Sequence, residues 1–310
     1  MPENLPLPPT IWGERQMTWG ERTWVMGILN ITPDSFSHDG IALAEMSPAQ
    51  IVSAAVAQAQ RMVAEGARMI DIGGESTRPT TEAQPPLPPA VECERVIPVI
   101  EALVNALPGD ILLSIDTYKA SVAAAALDAG AHLVNDIWGL RADPEMGALV
   151  AARGVPVVLM SNLRGQERRD PLSDVLRQLS GCVELALGAG VAWERIILDP
   201  GFGFGLRGEE NLRVMARLGE LRALGRPLLV GTSRKSYIGL ALGGPPVTDR
   251  LEGTAAAVAL CIAHGADIVR VHDVRQMARV AQMTDAVTRG WRGYEQAATS
   301  RAGGTGEGAR

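Results

Sequence analysis

The feature that most constrains this chain is a series of eight short apolar runs, most of them ending on a polar or charged residue. Met26-Gly27-Ile28-Leu29 ends at Asn30, Met69-Ile70 at Asp71, and the run at 111–115 at Asp116. Leu133-Val134 ends at Asn135, Ile196-Ile197-Leu198 at Asp199, and Ile268-Val269 at Arg270. Runs at 156–160 and 227–230 complete the set. A parallel strand covered on both faces is apolar throughout. Polar groups gathered at the C-terminal ends of such strands mark the active-site face of a (β/α)8 barrel.

Helical stretches alternate with these runs. The expected helices cover residues 47–65, 89–106, 118–129, 144–152, 173–188, 209–224, 250–264 and 274–290. Ser47 before Pro48 gives a capping residue and a first-turn proline, and Gly66 stands where a helix ends in a left-handed turn. Gly130-Ala131 and Gly265-Ala266 repeat the Gly66-Ala67 junction just before an apolar run. Repetition of helix, glycine and short strand indicates an α/β chain built as a single TIM barrel, with an open doubly wound sheet as the other arrangement. The expected division is an N-terminal extension or hairpin at 1–22, a barrel domain at 23–292 and a disordered tail at 293–310. In the extension, Trp-Gly-Glu-Arg occurs at 12–15 and again at 19–22, and a hairpin there would cover the barrel floor.

A chain of 310 residues and 46% hydrophobic content accommodates one large barrel. The net charge of -6 argues against a general nucleic-acid binder. Cys93, Cys182 and Cys261 are odd in number and widely spaced, which reads as reduced core thiols in a cytoplasmic protein. There is no apolar secretory segment in residues 1–22 and no run of membrane-spanning length.

The polar strand ends are the candidate chemistry. Gly73-Gly74 allows close backbone approach to a ligand, and Thr77 and Arg78 offer a hydroxyl and a donor fork suited to phosphate. Asp116 is either functional or a helix cap. Asp199 accepts only, so it matches a heterocycle presenting adjacent N–H groups, and Asn135 both donates and accepts. Lys235 and Arg270, after the seventh strand and within the eighth, are placed for an anionic leaving group. Arg270 lies within an apolar run and needs a partner there. His272 alternates with it. The glycine-rich run at 201–205 lacks the spacing of a dinucleotide loop.

Together these loops resemble the dihydropteroate synthase family of pterin-binding barrels. The resemblance is carried, in order, by LNITPDSFS at 29–37, DIGGESTRP at 71–79, SIDTYKA at 114–120 and NDI at 135–137. It continues through LDPGFGFG at 198–205, GTSRKSYIG at 231–239, EGT at 252–254 and RVHDV at 270–274. The resemblance implies condensation of 6-hydroxymethyl-7,8-dihydropterin pyrophosphate with p-aminobenzoate, a step of folate biosynthesis. It implies Asp116, Lys235 and Arg78 as catalytic residues. It implies pterin contacts from Asp116, Asn135, Met160, Asp199, Phe204, Gly231 and Lys235, and pyrophosphate contacts from Arg78, Arg270 and His272. It places Thr77 and Ser236 near p-aminobenzoate and Asn30 at Mg²⁺, with a homodimer as the expected assembly.

The chain departs from the family pattern in two places. Ser161 follows Met160 where the family commonly has His, and Leu206 follows GFGFG where it commonly has Lys, with Arg207 next. A pterin-dependent methyltransferase of the same superfamily and a non-enzymatic pterin binder are the competing functions.

Overall fold

The computed structural model describes residues 7–32, 46–76, 86–167 and 169–290. An antiparallel hairpin, β1 (Thr10–Trp12) and β2 (Arg15–Met17), comes first. The strands β3 (Trp24–Asn30), β4 (Met69–Gly73), β5 (Leu112–Asp116) and β6 (Leu133–Asp136) follow. They are joined by β7 (Val157–Met160), β8 (Ile196–Asp199), β9 (Leu229–Val230) and β10 (Ile268–Val271). These eight lie parallel in the order β8-β7-β6-β5-β4-β3-β10-β9. A parallel bridge between Leu198 and Leu228 joins the two ends, with the Leu198 N–H donating to the Pro227 carbonyl at 2.9 Å. The ring is therefore a barrel rather than an open sheet, as the sequence implied.

The helices among the described residues lie outside it. They are α1 (Pro48–Ala64), α2 (Pro89–Ala106), α3 (Ala120–Asp128), α4 (Met146–Arg153) and α5 (Pro171–Gly188). The rest are α6 (Gly208–Ala216), α7 (Ser236–Ala241), α8 (Leu251–Ala263) and α9 (Val274–Thr288). Ser47 and Gln50 cap α1 reciprocally, at 3.3 Å and 2.8 Å. Beyond its end, Gly66 takes φ of 112°, a conformation that a side chain disfavours.

Two expectations about helices are corrected. The helix expected at 209–224 breaks at Arg217, and Leu218–Leu224 continues as a 3-10 helix. Gly219 weakens the α-helix there, and Arg217 pairs with Glu220 three residues on, at 2.7 Å, which suits the tighter turn. The short helix α7, inside a loop expected to run on from the seventh strand, begins directly after Lys235. None of the three cysteines is in a disulfide. Among the described residues, no helix is long and apolar enough to cross a membrane. The tail expected to be disordered, from 293, lies outside the described residues.

Side chains alternate between the helices and the barrel axis, as the pleat requires. Val25 and Leu29 pack in the outer core, while Trp24 and Met26 pack inside. One layer of the interior takes a residue from each of the eight strands: Met26, Met69, Leu112, Leu133, Val158, Ile197, Leu229 and Ile268. Trp12, Met17 and Trp19 from the hairpin region seat beneath this layer, each no more than 6% exposed. The Trp19 indole N–H donates to Thr10 Oγ1 at 3.2 Å, and the Trp24 indole N–H to the Thr18 carbonyl at 3.1 Å. The hairpin thus closes the barrel floor without stranding a polar group.

A candidate active site at the barrel mouth

Two residues further along each strand, the inward positions change character. They become Ile28, Asp71, Ser114, Asn135, Met160, Asp199, Gly231 and Arg270. Period-two geometry therefore carries the chain from an apolar floor to a polar layer in one step. Gly231 keeps that layer open, since a Cβ there would meet nothing within 4 Å. The next step up reaches Asn30, Gly73, Asp116, Ile137, Ser233 and His272.

Arg270 ties this layer together. Its Nε donates to Asp71 Oδ2 at 2.5 Å and its Nη2 to Asp116 Oδ2 at 2.7 Å. Asn135 Nδ2 donates to the same Asp71 oxygen at 3.0 Å. Asp71 is fully buried, so it needs this positive partner. Its Oδ1 has no hydrogen bond. Sequence reasoning marked Asp71 as a strand end and gave it no role. The signal was present, because a carboxylate inside an apolar strand calls for a cation. The same requirement stated for Arg270 is met by these two acids.

Asp116 and Asp199 are carboxylates of weakened acidity. Burial pushes Asp116 up to about 7, against the lowering pull of Arg270. Burial pushes Asp199 to about 6, opposed by the Gly201 N–H, which donates to its Oδ1 at 2.7 Å, and by Lys235. Next to these acids, Ile137, Met160 and Phe204 form an apolar cluster with Tyr118 and Trp138 packed against it. The Lys235 ammonium lies 4.4 Å from the Phe204 ring centroid, and burial lowers it to about 8. The Arg164 guanidinium is also 4.5 Å from that centroid. The result is a slot with an aromatic wall, a hydrogen-bonding floor and cations along one side.

Arg164 was missed from sequence, and it bears on the two departures. Ser161 donates to Gln178 Oε1 at 2.8 Å, and Leu206 is buried in the outer core. Arg207 is exposed at the start of α6 and does not restore the missing cation. Arg164 reaches the aromatic wall from the loop after β7 instead. No spacing rule identifies it, because the contact exists only once two loops are folded together.

His272 lies against Ser233, with its backbone N–H donating to Ser233 Oγ at 3.2 Å and its Nδ1 3.0 Å from that oxygen. Burial, reinforced by Arg270, Arg234 and Lys235, lowers its pKa to about 3. The ring is therefore neutral near pH 7. Ser236 is exposed as the first residue of α7. Thr77 and Arg78 lie outside the described residues. The return of their loop is held at Glu75, which accepts the Leu87 N–H at 2.8 Å and pairs with Lys119 at 2.6 Å. Lys119 also bonds to buried Glu92.

Asn30 ends β3 at this mouth. Its Oδ1 and Asp116 Oδ2 would each be 3.8 Å from a Cβ built on Gly73. Among the described residues, no cluster of three or more His, Cys, Asp or Glu is placed to hold a metal. A corner with few oxygen ligands suits Mg²⁺ carried largely by phosphate oxygens and water, and does not suit a dedicated protein cage.

The model for the family of pterin binding enzymes matches residues 26–272. Dihydropteroate synthase of Clostridium beijerinckii is 46% identical over 278 residues, spanning 89% of this chain and 98% of that protein. The Bacillus subtilis dihydropteroate synthase is 47% identical over 271 residues, or 87% and 90%. Among solved structures, the Clostridium difficile enzyme crystallised with pteroic acid superposes with a TM-score of 0.80 at 44% identity, covering 87% of this chain and 98% of that one. The Xanthomonas albilineans enzyme in complex with 7,8-dihydropteroate gives 0.79 at 38% identity, covering 90% and 98%. With its barrel, its polar mouth and these relatives in agreement, the chain belongs to the dihydropteroate synthase family of pterin-binding enzymes.

Proposed function

We propose that this chain is a transferase that condenses 6-hydroxymethyl-7,8-dihydropterin pyrophosphate with p-aminobenzoate, forming 7,8-dihydropteroate and pyrophosphate. One observation carries the reading: Asp199 lies beside an aromatic-walled slot that Lys235 overhangs. A carboxylate accepts from the adjacent N–H donors of a pterin edge, Asn135 offers a neighbouring amide, and Met160, Phe204 and the open space at Gly231 accommodate the flat ring.

In the reaction, the bond between the pterin methylene and the pyrophosphate oxygen breaks, and its electron pair leaves on oxygen. The amine nitrogen of p-aminobenzoate supplies the pair for the new C–N bond, then releases a proton to solvent. Asp116, in its ionised form, stabilises the positive charge that develops on the pterin. Arg270 and neutral His272 bind the departing pyrophosphate, and Lys235 holds the ring. Thr77, Arg78 and Ser236 enter this scheme through the family resemblance, with Arg78 at the pyrophosphate and the other two at p-aminobenzoate. Asn30 would hold Mg²⁺, which when bound supplies charge neutralisation for the pyrophosphate.

We also propose a cytoplasmic homodimer. Unpaired cysteines support the compartment. Leu240, Leu260, Met283 and Val287, which are 70%, 50%, 66% and 72% exposed on α7, α8 and α9, support a second copy as the cover for that side. Sedimentation at micromolar concentration reading only monomer would refute the dimer.

The test of activity is pyrophosphate release by purified protein with Mg²⁺ and the pterin pyrophosphate, with and without p-aminobenzoate. Release coupled to dihydropteroate formation is expected. Pterin binding with neither product would overturn the reading.

A further inference from the structure

The loops leaving β9 and β10 are stitched side to side. Ser233 accepts from His272 at the first contact. One residue further along each chain, Arg234 meets Asp273 in a two-point ion pair, Nε to Oδ2 at 3.0 Å and Nη2 to Oδ1 at 2.7 Å. This forked geometry fixes orientation as well as distance.

Arg234 also has an unusual backbone. Its φ is 56°, a left-handed value shared among described non-glycine residues with Leu140 alone. A residue with a side chain stays in this region only where its surroundings hold it. Here the Arg234 N–H donates to Thr254 Oγ1 at 3.1 Å, and its carbonyl accepts from Arg250 Nη1 at 3.1 Å. The next residue is Lys235, and α7 starts immediately after it. The reversal at Arg234 therefore decides where the Lys235 side chain leaves the backbone.

We infer that Arg234 and Asp273 are a positioning pair that clamps the two loops so that Lys235 meets the Phe204 wall and His272 stays against Ser233. Neither member needs to touch a substrate. The inference rests on the active-site reading above, and it adds two residues to which that reading gives no part. It also accounts for an arginine next to a lysine in the same turn: Asp273 neutralises one cation and leaves the other for the slot.

The chain contains only two lysines, Lys119 and Lys235, so a lysine side-chain NMR titration resolves Lys235 directly. The groups acting on Lys235 are Arg270, Asp199, Arg164 and Asp116, from four other segments of the mouth. In Asp273→Asn, the Lys235 titration is expected to move upward toward that of a solvated lysine. Turnover kcat/KM should fall about 10- to 100-fold, the scale of a misplaced catalytic group. Asp273→Glu should recover part of both. Arg234→Lys should not, because it keeps the charge and loses the fork. Arg234→Gly, which accepts the left-handed backbone without strain, guards against a simple folding failure and should still displace the Lys235 signal. Unchanged Lys235 titration and kcat/KM in Asp273→Asn and Arg234→Gly would overturn the pair. The parent protein lacking synthase activity would instead overturn the functional reading, while the NMR arm still decides the clamp.

Discussion

Asp71 and Arg270 stand 199 residues apart in the chain and meet at 2.5 Å inside the barrel. Asp71 has no substrate contact assigned to it, yet it accepts from Asn135 and holds the Arg270 guanidinium between two acids. Replacing Asp71 with Asn should leave Arg270 with one charged partner in a poorly solvated layer. The expected cost is about 3 kcal/mol of folding stability, at the low end for breaking a buried pair because Arg270 retains Asp116. Urea unfolding of Asp71→Asn checks this, and a loss near zero would mean that water replaces the pair.

Arg164→Gln tests the aromatic wall. A cation over an aromatic face contributes about 0.5–2 kcal/mol, so KM for the pterin substrate should rise about 2- to 30-fold. Binding lost equally from ground and transition states leaves kcat unchanged. Steady-state kinetics in which kcat falls while KM holds would assign Arg164 to the chemistry instead.

The barrel has a titratable point away from its mouth. His132 Nδ1 accepts the Leu113 N–H at 2.8 Å, which requires an unprotonated nitrogen. Burial, with Arg15 adding to it, lowers the pKa to about 4 from an ordinary 6.5. Because the folded value is the lower one, the stabilisation is present above pH 6.5 and is lost as pH falls from there to about 4. After allowance for solvent screening, the loss should be about 2 kcal/mol. His132→Gln should flatten this part of the stability profile, as measured by denaturant midpoints across that range. A profile as steep as the parent's would place the acid sensitivity elsewhere.

Trp12→Ala removes a large side chain from beneath the barrel. Aromatic-to-alanine changes in a core cost about 3–5 kcal/mol. The active layer is two inward positions higher, so kcat and KM at 25 °C should remain within about twofold while the protein stays folded, as expected for sites without shared partners. Calorimetry alongside kinetics separates the two effects. A large kcat change without loss of stability would show that the floor communicates with the mouth.

The barrel was legible because strands buried on both faces have little freedom in composition, and because helix ends such as Gly66 repeat before the runs they precede. The polar ends Asp116, Asn135, Asp199 and Arg270 stood out against that apolar background. What was not legible depends on distant segments meeting. Arg164 becomes part of the wall only when the loops after β7 and β8 converge on Phe204. Asp71 shows a need for a partner in its own strand, but which cation meets it is settled only when the last strand, β10, pairs beside β3. Helix α7 is hidden because its start is set by the strained turn at Arg234 and not by a capping side chain.

The hairpin beneath the barrel also has a consequence for traffic. With Trp12, Met17 and Trp19 sealing the floor, the described residues leave the mouth as the passage in and out. Both reactants and both products of the proposed reaction would share that passage.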